Sequence, residues 1–335
     1  MRKALLLLGA FALTTCGSHS VGTQVLLPGG NVGIGFDDLR YSASLHQVLV
    51  PAGRSGNVVL IDPDTLKISS VSGFGSVAAY SGGHDDGPTS IDESPGFLYV
   101  TDRTEQALLA VDKRTLRILG KVPLKHQPDY VRYVASTKEL WVTEPGADQI
   151  EVFSIGEDGM PIRTNAVVPV SNGPESLVLD EPRGLAYSHR WKSSTVAIDL
   201  RRRQIVAEWP NGCTASRGIA LDEKRGFLFA VCREGTVSVL DAARGGKILS
   251  TLTRGSGFDV VGYAPALGHL YLAGSSCACL VTMGVSPAGK LTLLGREPAP
   301  KSTHCAVADD KRHVWVCDPE SARIWRMNDS FAPSL

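Results

Sequence analysis

The chain has 335 residues, 43% of them hydrophobic and 20% charged, a balance that excludes intrinsic disorder and suffices for one large or two ordinary domains. Lysine plus arginine equals aspartate plus glutamate at 34 each, so no net field draws the chain to nucleic acid or to an anionic surface. Recognition must rest on shape and local groups.

The first twenty residues read as an export segment: Arg2 and Lys3 precede the apolar run LLLLGAFAL, which is too short to span a bilayer as a mature helix. Leu13-Thr14-Thr15-Cys16 resembles a bacterial lipobox, which implies lipidation of Cys16, although Thr15 departs from the usual small residue before the cysteine. Ordinary cleavage between Gly17 and Ser20 is the alternative. Residues 1–20 are thus expected to be a signal peptide and 21–335 a single domain. No later segment has the long uncharged apolar run of a membrane helix.

Next comes TQVLLPGGNVGIGF (23–36), a strand-like stretch, and then a repeat. HQVLVPAG at 46 is followed by GFLYVTD at 96, KELWVTE at 138, GLAYSH at 184, GFLFAVC at 226, GHLYLAG at 268 and RHVWVCD at 312. Each is an apolar, aromatic and β-branched run between turn formers, which predicts a strand. A second strand recurs as NVVLIDPDTLKI at 57, ALLAVDKRTLRI at 107, STVAIDLRRRQI at 194 and TVSVLDAARGGKI at 236, with looser copies at 149 and 278. A third precedes the aromatic one and ends in an acidic turn, as in LVLDEPRG and IALDEKRG. The period is about 40 to 46 residues and no copy shows helical spacing.

Seven four-stranded units at this period predict an all-β, seven-bladed β-propeller with antiparallel blades. The LYVTD and WVTE strands and the IDPDTLKI hairpin resemble the YVTN propeller repeats of microbial envelope proteins, and more distantly lactonase and streptogramin-lyase-like propellers. The last copy has room for three strands only, so the segment at 23–36 is expected to close the ring as its outer strand, and removing it should cost far more stability than removing the last few residues. Asp62, Asp112, Asp199 and Asp241 share one slot after the third strand and read as turn caps.

Ligand sites of propellers usually lie where the inner strands begin. Counting back from the aromatic strands places Thr89, Asp129, Glu175, Arg217, Asp259 and His304 in a polar ring at that mouth. The ring has two readings. Its side chains either satisfy loops and channel water, or bind a ligand, with Asp129, Glu175 and Asp259 able to hold one divalent cation such as Ca²⁺ or Mg²⁺ and His126 or His304 able to move a proton. His84, Asp85 and Asp86 in SGGHDDGP read as a capped turn or, less regularly, a Ca²⁺ loop.

Six cysteines follow Cys16. In the propeller register Cys213 lies opposite Cys232, and Cys305 opposite Cys317, across antiparallel hairpins, which suits disulfides in an oxidising compartment. Cys277 and Cys279 are left as a third pair, either bridged or serving metal or redox chemistry.

The expected protein is therefore an exported, lipid-anchored propeller, periplasmic or on the outer membrane, that binds an envelope protein, peptide or small ligand as a monomer without cofactor. Two alternatives stand beside it: a metal-dependent lactonase or lyase at the channel mouth, and an envelope metal-binding or redox protein using Cys277 and Cys279.

Overall fold

The apolar runs become strands, and these assemble into seven four-stranded antiparallel sheets in a computed structural model that describes residues 22–30 and 32–335. The export segment and Cys16 lie outside the described residues. The second blade shows the pattern: inner strand Pro88–Glu93, then Phe97–Asp102, Ala107–Asp112 and outer strand Ile118–Pro123, in spatial order. Its two middle strands are buried almost throughout, because neighbouring blades cover both faces. That is why they read as unbroken apolar runs instead of alternating ones. The outer strand alternates half-buried with exposed residues, as expected at a rim wetted on one side.

Aromatic residues of the second strands fill the spaces between blades: Tyr99, Trp141, Tyr187, Phe229, Tyr271 and Trp315 are all fully buried. No helix among the described residues is long and apolar enough to cross a membrane.

The ring closes through the N-terminus. Thr23–Leu26 pairs antiparallel with Arg323–Asn328, Thr23 opposite Arg326 and Leu26 opposite Arg323, and forms the outer strand of the seventh blade. From there the chain crosses to the axis and runs buried from Gly33 to Leu39 before the first inner strand, Arg40–Ser42. Crossing other backbones so closely requires glycine: a Cβ on Gly35 would lie 2.4 Å from the Gly83 carbonyl, and one on Gly87 would lie 2.0 Å from that of Gly53.

The turn caps sit where the sequence places them. The Asp62, Asp112 and Asp199 carboxylates each accept backbone N–H groups two and three residues on, and Asp241 accepts from Arg244. Disulfides join Cys213 to Cys232, Cys305 to Cys317 and Cys277 to Cys279.

Candidate functional site at the channel mouth

Strand register defines the site. In each blade one inner-strand residue lies opposite the central large residue of the second strand: Arg40 opposite Leu49, Asp92 opposite Tyr99, Arg132 opposite Trp141, Val178 opposite Tyr187, Ala220 opposite Phe229, Gly262 opposite Tyr271, Val307 opposite Trp315. Three residues earlier stand Asp37, Thr89, Asp129, Glu175, Arg217, Asp259 and His304, one per blade. In blades four, five and six the pairing slips at or beside this position, and such bulges turn the side chain out of the pleat toward the axis.

Asp37, Asp129, Glu175, Arg217 and Asp259 line one cavity of about 500 Å³, together with His84, Arg103, Tyr130 and Trp191. Asp259, Arg217 and His84 also border a second depression, which contains His304. Thr89 belongs to the ring by position but is buried against Thr101 (Oγ1 to Oγ1 3.4 Å). His126 does not join the ring. It is exposed three residues ahead of Asp129, on the loop leading to the rim, and is absent from the cavity lining.

Sequence reasoning missed Asp37, His84 and Arg103 as members of this site. Asp37 was legible in principle, since it stands twelve residues before Leu49, the offset that also separates Asp129 from Trp141, Glu175 from Tyr187, Arg217 from Phe229 and Asp259 from Tyr271. The weak first repeat concealed it. His84 and Arg103 come from loops with no periodic counterpart, so no spacing signals them.

These three supply counter-charges. Arg103 donates from Nη2 to Asp129 Oδ1 (2.6 Å), from Nε to the Pro128 carbonyl (3.0 Å) and from Nη1 to Asp85 Oδ1 (3.1 Å). His84 Nδ1 lies 3.1 Å from Asp37 Oδ2 and its ring stacks on that of His304, centroids 5.6 Å apart. The SGGHDDGP loop therefore spends His84 and Asp85 on protein partners instead of gathering them around one ion.

The negative charge of Asp37 raises the His84 imidazole to about 9 against the opposing effect of burial. Burial would raise Asp37 itself, but the charges of His84 and Arg103 and the His84 hydrogen bond hold it well below the usual carboxylate range. Burial, followed by the Asp37 charge, lifts Asp129 to about 7. Glu175 is pushed well above the carboxylate range by burial, then by Asp129 and Asp259. Asp259 is raised by burial, then by Asp37. These influences favour the uncharged form of the Glu175 carboxyl, which can donate as well as accept.

A divalent cation fits these residues poorly. Asp129 and Asp37 already face protein cations. At this mouth His84, Asp259 and His304 bring donor atoms within 4.8 Å of one another. Yet both His304 ring nitrogens lie 2.8 Å from carbonyl oxygens, Nδ1 from Ser302 and Nε2 from Phe36, so neither presents a lone pair to an ion in this rotamer.

Beneath the mouth the channel is closed. Arg132 donates from Nη1 and Nη2 to the two Asp38 oxygens (2.6 and 3.0 Å) and from Nε to the Leu177 carbonyl (2.9 Å), while Ser90 Oγ donates to Asp38 Oδ2 (2.6 Å). Adjacent residues thus serve opposite faces: Asp37 lines the mouth, and Asp38 with Arg132 floors a wider apolar funnel of about 820 Å³ on the other side.

No protein-family profile matches the chain, and no curated protein matches it. Its structure is similar to Kuenenia stuttgartiensis hydrazine synthase (13% identity over 96% of this chain and 99% of that chain, TM-score 0.71). It is also similar to the β-propeller domain of Myceliophteria thermophila Cps50 (Swd1) (13% identity, 91% and 99% covered, TM-score 0.73). A provisionally assigned 6-phosphogluconolactonase of Bacteroides fragilis NCTC 9343 aligns at 15% identity over 80% of this chain and 85% of that one, TM-score 0.66. At such identities the likeness shows the fold alone.

Proposed function

We propose that this chain is an exported, lipid-anchored β-propeller of the bacterial cell envelope that works as a monomeric binding protein, with its ligand seated in the channel mouth. The observation that carries the reading is the charge-matched cavity: Asp129 is met by Arg103, Asp37 by His84, and Glu175 is driven toward neutrality. Such a mouth is organised to receive polar groups without a metal to neutralise it. Three disulfides in the last three blades suit an oxidising compartment. The bridge between Cys277 and Cys279 leaves no thiolate pair there for metal while it persists.

Metal analysis of the purified 22–335 domain tests the binding reading. No divalent ion at stoichiometry is expected, and Glu175→Gln should leave metal content near zero. One ion per chain that departs with Glu175→Gln would overturn the binding reading, and lactonase or lyase activity lost with it would favour the alternative, a metal-dependent lactonase or lyase. That alternative draws its support from Asp129, Glu175 and Asp259 lining one cavity. Export and anchoring are tested separately: a labelled fatty acid should mark the full chain and leave Cys16→Ser unlabelled.

A further inference from the structure

Arg217 differs from the other cations of the mouth. Among the described residues its guanidinium makes one hydrogen bond, Nη1 to the Ser216 carbonyl (2.8 Å), and no ion pair, whereas Arg103 is engaged by the carboxylates of Asp37, Asp85 and Asp129 and by the carbonyls of Pro128 and His84. Its Cζ lies 5.2 Å from the centroid of the Trp191 ring, which fixes the planar group at the cavity wall. Glu175, on the neighbouring blade, lines the same cavity at 6% exposure, and no described group donates a hydrogen bond to its carboxyl. Two buried or part-buried polar groups therefore look into one space with their hydrogen-bonding capacity unused.

We infer that the ligand of the channel mouth is a small organic acid whose oxyanion group is held between the Arg217 guanidinium and the Glu175 carboxyl; this rests on the binding reading above. A guanidinium supported on an aromatic face presents parallel N–H donors to a planar or tetrahedral oxyanion. The carboxyl opposite it donates its O–H to the same anion while uncharged and repels it once ionised. Burial favours the protonated form of Glu175, as do the facing carboxylates of Asp129, Asp259 and Asp37, while Arg217 opposes them. Anion affinity should therefore fall as pH rises and Glu175 ionises.

Tryptophan fluorescence and calorimetry with succinate, inorganic phosphate, uncharged succinamide and the polyol xylitol test the inference. Succinate or phosphate should saturate the wild type, and whichever binds distinguishes carboxylate from phosphate recognition. Arg217→Gln should weaken that binding about 10- to 100-fold, the usual worth of a charged hydrogen-bond pair. Glu175→Gln keeps an N–H donor, so it should retain affinity at pH 7 and reduce the loss at high pH to the part that Asp129 and His84 contribute, which a purely structural residue would not do. Anion binding unchanged in Arg217→Gln overturns the inference. Saturation by xylitol or succinamide but by neither anion overturns it while leaving the mouth a binding site. Silence of all four probes overturns both.

Discussion

Arg132 and Asp38 divide the channel, and each is almost wholly buried, with side chains 5% and 4% exposed. Removing one member strands the other charge in a low-dielectric interior, where the cost is about 3–5 kcal/mol. Arg132→Met should lower stability by that amount in urea unfolding, and the double variant Asp38→Leu with Arg132→Met should recover most of it. His84 makes a pH-dependent contribution at the same scale. Its folded pKa, about 9, lies above the value of an unfolded histidine. The stabilisation is therefore complete below about pH 6.5 and fades as pH climbs through 9. Thermal melting should show the wild type ahead of His84→Gln at pH 6 and the gap narrowed at pH 9.5. An equal gap at both would mean that Asp37 does not hold the imidazole charged.

Strands carried most of the legible information, for a physical reason: blades bury both faces of their middle strands, so seven apolar and aromatic runs recur with little polar interruption. Hairpin register then followed from turn positions, which is how Cys213 and Cys232, or Cys305 and Cys317, could be paired from spacing. The polar ring was legible for the same reason, because Asp129, Glu175, Arg217 and Asp259 keep one offset from a buried aromatic. Loops obey no such period. His84 reaches the mouth only because Gly35, Gly53 and Gly87 let three backbone segments pass within contact, a tertiary fact no local pattern contains. Two disulfides close the hairpins that deliver Arg217 and His304, at sequence separations of 19 and 12. Replacing Cys305 and Cys317 together by alanine should cost about 2–4 kcal/mol in denaturant unfolding. A variant as stable as the wild type would show the inner-strand register to be held by packing alone.

At the scale of the whole molecule, both chain ends act as fasteners, and in different places. The first strand covers what would otherwise be an open edge at Arg323–Asn328, with Val25 and Leu27 buried beneath it and Leu27 N–H bonded to the Ala322 carbonyl (3.1 Å). The tail turns back under the sixth blade: the Asp329 carboxylate accepts from His269 Nδ1 (2.6 Å) and from the Tyr271 hydroxyl, and the Ala332 carbonyl from His269 Nε2 (3.1 Å). The expectation that the last residues are cheap to remove therefore holds only beyond a definite point. A chain ending at Asp329 gives up mostly exposed residues and four hydrogen bonds, from His269 Nε2 to the Ala332 carbonyl, from Arg312 to the Phe331 carbonyl, from Phe331 N–H to Asp329 and from Ser334 N–H to the Leu267 carbonyl, each worth about 0.5–1.5 kcal/mol. A chain ending at Asn328 leaves the fully buried His269 and Tyr271 polar atoms without their acceptor, at about 1–3 kcal/mol for each. Deleting residues 22–30 should cost more than either truncation. It also bares the unpaired strand Arg323–Asn328, so concentration-dependent association should appear in size-exclusion chromatography of that deletion alone. Should the 22–30 deletion remain monomeric and as stable as the chain ending at Asp329, the N-terminal strand would be a passenger on a ring that closes without it.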